Sequence, residues 1–237
     1  MFEKMSKRND LNREFSDAMA QWDIDKIKNL FKDGNEDYPD INQELVSAPA
    51  ILLAAIKGNW DMFEKLYELN ADLDVKTINN GWHVIHECVK NAPSNILSGI
   101  IEYCDLDVQT DDGKTALMVA IKDKNQTNAL ALLDNKNITI SLCDKNGDNA
   151  AHYAARSGMN ELFLRLIKEG VPLNQKNKKG KVPADLIEDE FFKSSIPSGK
   201  EEEREFQEKS VYKAYTKDKT KDKPKEVTGL SKIKKNF

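Results

Sequence analysis

Apolar residues along the chain recur in steps of three and four, a spacing that places their side chains on one face of a helix. Four stripes of this kind are Phe63–Leu66–Tyr67, Ile96–Ile100–Ile101, Leu130–Leu132–Leu133 and Leu162–Leu166–Ile167. A shorter apolar segment precedes each stripe, and two of these segments contain paired alanines, at Ala54–Ala55 and Ala154–Ala155. The pattern therefore predicts pairs of helices, a small-residue helix followed by a bulkier one.

Glycines divide these pairs at a period of about thirty-three residues. The glycines are Gly81, Gly113, Gly147 and Gly180. Each is the first residue of one of four similar segments, GWHVIHECVK, GKTALMVAIK, GDNAAHYAAR and GKVPADLIED. A glycine at such a turn suits a backbone with positive φ, where a Cβ atom would clash. One unit alone would leave its apolar face in water, so neighbouring units are expected to stack.

This pattern resembles the ankyrin repeat over roughly residues 11–192. The positions of the family's T-P-L-H motif are occupied by Thr115-Ala116-Leu117 in one unit and by Asn149-Ala150-Ala151-His152 in the next. The segment Val182–Leu186 is similar to a last repeat. His83 and Asn149 depart from the family because they stand where threonine is usual. The resemblance implies an all-α fold, an ankyrin-repeat solenoid of stacked helix pairs with turn or β-hairpin tips.

The period divides the chain into a domain, residues 1–193, and a charged C-terminal tail, residues 194–237. Within the domain we expect an N-terminal cap over about 11–35, repeats over about 45–78, 79–110, 111–144 and 145–177, and a degenerate last repeat over 178–193. The segment Gln21–Gly34 is similar to Asn59–Asn70, and the aspartates Asp23 and Asp61 are expected to cap the helices there.

The tail differs from the domain in charge. Residues 194–237 contain 12 Lys and Arg against 8 Asp and Glu, whereas residues 1–193 contain 24 against 32 and the whole chain carries −4. A helix is expected over Glu201–Tyr215, because acidic residues begin it and lysines end it, and disorder is expected from Thr216 to Lys225. A basic tail of this kind also raises the alternative of tethering to nucleic acid or membrane, which the interspersed acidic residues weaken.

The cluster EEEREFQE, followed by a terminus with lysines and serines, resembles the C-terminal signal of type IV effectors. These effectors come from intracellular bacteria with Dot/Icm machinery, and ankyrin repeats recur among them. The resemblance implies export into a host cell and action on a host protein.

Two histidines, His86 and His152, occupy equivalent positions in different copies of the repeat. The resemblance implies that this histidine bonds across the turn and to the next unit, which is a structural role. The alternative is a small enzyme or metal-binding scaffold using His83, His86 and Cys88. The sequence contains no phosphate-binding glycine loop and no G-x-S-x-G motif, so we predict no enzymatic activity and neither a cofactor nor a metal.

The expected function is binding of a protein partner in the concave groove, because turn tips and first-helix exteriors need not serve the core. The candidate partner-binding residues are Asn79, Asn80, Trp82, Lys90, Asn91, Asp111, Asp112, Lys114, Lys122, Asp123, Lys145, Asn146, Asp148, Arg156, Lys178, Lys179 and Lys181. Trp82 leads them, since exposed tryptophan is a frequent hot spot; the alternative is that it packs over the loop 35–46. Three scattered cysteines and the charged start, MFEKMSKRND, predict a cytoplasmic protein, which we expect to be monomeric by itself.

Overall fold

The computed structural model describes residues 2–32, 37–43, 45, 48–194 and 196. Their contacts divide the chain into two units, residues 1–111 (unit 1) and 112–237 (unit 2). The described helices are α1 (Phe2–Gln21), α2 (Ile24–Leu30), α3 (Ala50–Lys57), α4 (Trp60–Glu68), α5 (Val84–Asn91), α6 (Ser94–Ile100), α7 (Ala116–Lys122), α8 (Gln126–Leu133), α9 (Ala150–Ser157), α10 (Asn160–Lys168), a 3₁₀ turn (Pro183–Leu186) and α11 (Glu190–Ser194).

The predicted fold class is confirmed. Within the described ranges every regular element is a helix, and two isolated bridges, Lys76–His83 and Cys143–Asn149, close turns. Most of the predicted tail, including the helix expected over Glu201–Tyr215, lies outside the described residues.

In unit 1 the helices pair as the apolar stripes predict. Helix α1 packs on α2, α3 on α4 and α5 on α6, and α3 also packs on α5 of the following pair. The paired alanines Ala54 and Ala55 are buried, and so are Phe63 and Leu66 from the second stripe. Small residues on α3 thus let the first helices of neighbouring pairs approach, while the bulkier stripe on α4 fills the core.

In unit 2 the same arrangement continues through three layers. Helix α7 packs on α8 and on α9, and α9 packs on α10 and on the 3₁₀ turn Pro183–Leu186. In the segment expected to be a degenerate last repeat, residues 178–193, a short turn therefore stands in place of a full first helix. Proline at the start of that 3₁₀ turn suits the first helical position, where its missing N–H has no partner to lose.

Most of the second helices of the pairs are preceded by a residue whose side chain caps the helix N-terminus. Asp23 Oδ1 accepts a hydrogen bond from Lys26 N at 2.9 Å, as predicted. The prediction for Asp61 is wrong: the cap lies two residues earlier, at Asn59, whose Oδ1 accepts from Met62 N at 3.1 Å, and α4 begins at Trp60. Asp61 instead lies in the first helical turn, where a negative charge favours the positive end of the helix dipole.

The turn glycines have positive φ, and at Gly113 the requirement is stronger than φ alone. A Cβ atom on Gly113 (φ +80°) would lie 2.8 Å from the backbone nitrogen of Lys145, in the next turn. The same two turns are joined by a hydrogen bond from Lys145 N to Asp112 O at 2.9 Å. Glycine is therefore required here by both the conformation and the closeness of the neighbouring backbone.

We expect Gly113→Ala to lower the free energy of unfolding more than Gly158→Ala. Gly158 also has positive φ, +66°, but nothing lies within 4 Å of an added Cβ, so it isolates the conformational cost, which is about 1–2 kcal/mol. The steric overlap at Gly113 adds roughly 1–3 kcal/mol. Urea unfolding of the two variants measures the difference, and equal losses would contradict the close approach of the turns.

Candidate partner-binding surface

The predicted partner-binding residues lie on the turns and at the ends of the first helices, as expected. All of them except Asp148 are exposed or half-buried. They divide between the units, with Asn79, Asn80, Trp82, Lys90, Asn91 and Asp111 in unit 1 and the remainder in unit 2. Their role in binding stays a prediction.

Trp82 is half-buried and belongs to a local cluster in unit 1. Lys90 Nζ lies 5.0 Å from the centroid of the Trp82 ring, and the His86 ring lies 5.9 Å away. Lys90 Nζ also forms an ion pair with Glu87 Oε2 at 3.5 Å. The indole, which precedes α5, is therefore held by side chains of that helix and remains partly exposed.

Two adjacent turns of unit 2, 144–148 and 177–181, are each closed by a polar side chain. Asp144 Oδ1 accepts from Asn146 N at 2.8 Å and from Asp148 N at 2.9 Å. Asn177 Oδ1 accepts from Lys179 N at 2.9 Å and from Lys181 N at 3.0 Å. Such side-chain bonds stabilise turns because they satisfy backbone donors that have no helix or sheet partner.

Asp148 corrects the sequence analysis. We expected its side chain to be available to a partner, but it is buried at 4% exposure. It accepts from Arg156 Nη2 at 2.7 Å and from Asn177 Nδ2 at 2.7 Å. Burial alone would raise the pKa of Asp148, but the bonds from Asn177 and Arg156 outweigh it, and the pKa is lowered. Asp148 therefore joins neighbouring turns, and we remove it from the candidate surface.

His152 is a structural residue in unit 2. Its Nδ1 accepts from the backbone N–H of Asn149 at 3.1 Å, and its Nε2 lies 3.1 Å from the carbonyl oxygen of Lys181. Because a carbonyl only accepts, Nε2 carries a proton; a neutral ring then accepts at Nδ1 from Asn149 N–H, and Nδ1 also lies 2.7 Å from Asn149 Oδ1. Burial lowers the pKa of His152, which favours the same neutral form. The histidine thus bonds across its own turn and to the next repeat.

The residues His83, His86 and Cys88 do not form an available ligand set. His86 Nδ1 already accepts from the backbone N–H of His83 at 3.1 Å. Cys88 is fully buried, and burial raises the pKa of its thiol well above the ordinary value, against the thiolate that binds metals. Among the described residues no group of three His, Cys, Asp or Glu side chains is placed to hold a metal ion.

A cavity of about 590 Å³ lies in unit 1. It is lined by Ser16, Met19, Ala20, Trp22, Leu45, Leu53 and Lys57. Among the described residues its walls offer a hydroxyl and an ammonium group but no histidine, cysteine or carboxylate, so these residues lack the neighbouring base that a serine nucleophile needs.

The middle of the chain matches a known repeat family. The family model for ankyrin repeats, in three copies, matches residues 85–177, the stretch that holds α5 to α10.

The chain contains ankyrin repeats. A stretch of 113 residues, 46% of the chain, is 33% identical to the "Ankyrin repeat-containing protein F37A4.4" of Caenorhabditis elegans. The chain spans only 9% of that relative's length. None of the described helices is long and apolar enough to cross a lipid bilayer.

The polar contacts between adjacent ankyrin repeats were not identified from the sequence. Asn177 makes such a contact with Asp148; the Tyr153 hydroxyl, which donates to Asp144 Oδ2 at 2.8 Å, adds a bond between a turn and its own helix. One signal was available, since Asp144 and Asn177 each stand three residues before a turn glycine. That spacing indicates turn-closing side chains, but it does not show that Asn177 also reaches the preceding turn.

We expect Asn177→Asp to destabilise unit 2 at neutral pH and to recover in acid. The variant keeps the two acceptor bonds to Lys179 N and Lys181 N, but it places a second carboxylate against Asp148 in place of a donor 2.7 Å away. Two facing carboxylates share a proton, so one pKa rises above its unfolded value. The variant should lose about 1–3 kcal/mol or more of the free energy of unfolding at neutral pH. This loss should shrink as the pH falls through the raised pKa.

Urea unfolding of Asn177→Asp at pH 7 and at pH 5 measures this effect, with Asn177→Ala as the control. The alanine variant loses the same hydrogen bond without adding charge, so its deficit should not shrink in acid over that range. Wild-type Asp148 does not interfere, because its lowered pKa places the loss of its own contribution at still lower pH. Equal behaviour of the two variants would contradict the assigned contact.

Proposed function

We propose that this chain is a non-catalytic protein-interaction module. A protein partner binds the face formed within each unit by the turn tips and first-helix exteriors, residues of the kind that line the concave side of stacked ankyrin repeats. The observation that carries the proposal is the combination of exposed turn side chains with turn backbones tied to their neighbours. Those side chains do not serve the core, so their identity is free to serve recognition.

The bonds between turns support binding for an energetic reason. Asp111 N donates to Asn80 O at 2.9 Å in unit 1, and Lys178 N donates to Asn146 O at 2.8 Å in unit 2. Each bond connects the tip of one repeat with the tip of the next. A surface whose backbone is already ordered loses less conformational entropy on binding, so more of the contact energy appears as affinity.

The non-catalytic assignment follows from the roles that the reactive residues already have. His152 and His86 accept backbone hydrogen bonds, and Cys88 is buried with a raised pKa. We propose that the protein works in the cytoplasm as a monomer and needs no cofactor.

The finer proposal is that the protein is a type IV secreted effector with a host protein as its partner. Its support is the sequence EEEREFQE and the terminus that follows, which lie outside the described residues. A translocation reporter fused to the full chain, expressed in a bacterium with Dot/Icm machinery, should give a signal in host cells. Glu201→Lys, Glu202→Lys and Glu203→Lys together should reduce that signal strongly, and an unchanged signal would remove the assigned export role.

Partner capture tests the proposed face. We expect the combination Trp82→Ala, Lys114→Glu and Lys122→Glu to reduce capture of the wild-type partner from a lysate to a small fraction, because it removes an aromatic anchor and reverses two charges. Mass spectrometry of the wild-type capture identifies the partner that is followed.

A matched control places the same kinds of change elsewhere. The combination Tyr103→Ala, Lys136→Glu and Lys168→Glu alters one exposed aromatic and two exposed lysines that follow or end second helices. This control should capture the partner as the wild type does, and circular dichroism should show that both combinations fold. Unchanged capture by the Trp82 combination would remove the proposed face.

A further inference from the structure

We infer that the partner presents an acidic segment to unit 2, where it binds a cluster that we name the lysine tips: Lys145, Lys178, Lys179 and Lys181. The inference rests on the proposed function and adds the chemistry of the partner. The four lysines belong to the two adjacent turns, 144–148 and 177–181, whose backbones are hydrogen-bonded to each other.

The acidic residues of these two turns are used inside the protein, whereas the lysines face outward. Asp144 and Asp148 are 6% and 4% exposed. They are bonded to Tyr153, Asn177 and Arg156. All four lysine side chains are exposed, and no ion pair is formed by them within the described part of the chain. The outward charge of the two turns is therefore wholly positive.

A nearby acid does not neutralise the cluster. Asp112, on the preceding turn, is close enough to Lys145 for that lysine to help lower its pKa. The larger causes are the hydrogen bond and charge of Lys114, whose Nζ lies 2.8 Å from Asp112 Oδ2. Asp112 is thus paired mainly with Lys114, and the lysine tips keep their excess of positive charge.

The backbone under the lysines is held on several sides. Lys178 N donates to Asn146 O at 2.8 Å, and Asn177 binds the backbone nitrogens of Lys179 and Lys181. A Cβ atom on Gly147 would lie 3.1 Å from Asn177 Cα, which shows how closely the two turns approach. Fixed Cα positions preserve the spacing of the four charges, so that a segment with several carboxylates can meet more than one of them at once.

An acidic protein segment fits this patch better than a long polyanion does. Residues 1–193 contain 24 Lys and Arg against 32 Asp and Glu, so the lysine tips are a small positive area on a negative domain. Duplex DNA carries a charge about every 1.7 Å along its axis, and it would extend from the patch over the negative surface. A few carboxylates on one short segment match the size and charge of the patch without that repulsion.

Fluorescence anisotropy with the full chain tests the inference. The probe is a short fluorescein-labelled peptide of alternating glutamate and glycine, and the control peptide replaces each glutamate with lysine. We expect the glutamate peptide to bind and the lysine peptide not to bind. The affinity for the glutamate peptide should fall as the salt concentration rises from about 50 to 200 mM. The double variant Lys178→Glu, Lys179→Glu should bind at least about tenfold more weakly.

Lys136→Glu with Lys168→Glu is the matched control, because it changes the net charge equally and should leave peptide binding within about twofold of wild type. Equal loss in both double variants would show only a net-charge effect and would overturn the site. Tighter binding of a DNA duplex or of phosphatidylserine vesicles through the same lysines would overturn the assignment to a protein segment.

The same experiment separates this inference from the proposed function. If the glutamate peptide does not bind while partner capture still depends on Trp82, Lys114 and Lys122, only the acidic partner is refuted. If the peptide binds through Lys178 and Lys179 while capture is indifferent to the Trp82 combination, the acidic-segment site at the lysine tips is supported and the binding role of Trp82, Lys114 and Lys122 is refuted.

Discussion

Adjacent turns within each unit are held by direct backbone contact, and most other features of the protein depend on that contact. At Gly113 the next turn is so close that a methyl group would overlap the backbone nitrogen of Lys145. The approach allows hydrogen bonds between turns, such as that from Lys145 N to Asp112 O. It also brings α7 and α9 side by side, so that each helix pair covers the apolar face of its neighbour.

The same contact divides the polar residues of the turns into two groups. Side chains that point toward the neighbouring turn, such as Asp148 and Asn177, become buried and hydrogen-bonded. Those that point outward, such as Lys178 and Lys179, remain in water. In the turns 144–148 and 177–181 the buried aspartates carry the acidic charge and the outward lysines carry the basic charge, so these two turns present positive charge on a domain of negative net charge.

The histidine at the equivalent position of the repeats illustrates how a reactive residue type serves architecture. The two ring nitrogens of His152 bond on opposite sides: Nδ1 contacts Asn149 in its own turn, and Nε2 donates to the carbonyl oxygen of Lys181 in the next repeat. Asn149, which stands where the family has threonine, accepts from His152 N at 3.2 Å, and so it performs the same capping task as Thr115 does for Met118 N at 3.4 Å. The departure at Asn149 therefore preserves the capping hydrogen bond while changing the residue.

The sequence by itself determined the period, the helix pairs, the turn glycines and the cap at Asp23, because each depends on residues close together in the chain. It also located the exposed turn positions correctly, apart from Asp148. Only the tertiary structure decided that Asp148 faces inward, that Asn177 joins two turns and that Asn59 caps α4 in place of Asp61. The physical reason is that a polar side chain in a turn can form its hydrogen bonds either with water or with a buried partner. Which of the two it adopts depends on a partner one repeat away, and periodicity alone does not show where that partner's side chain points.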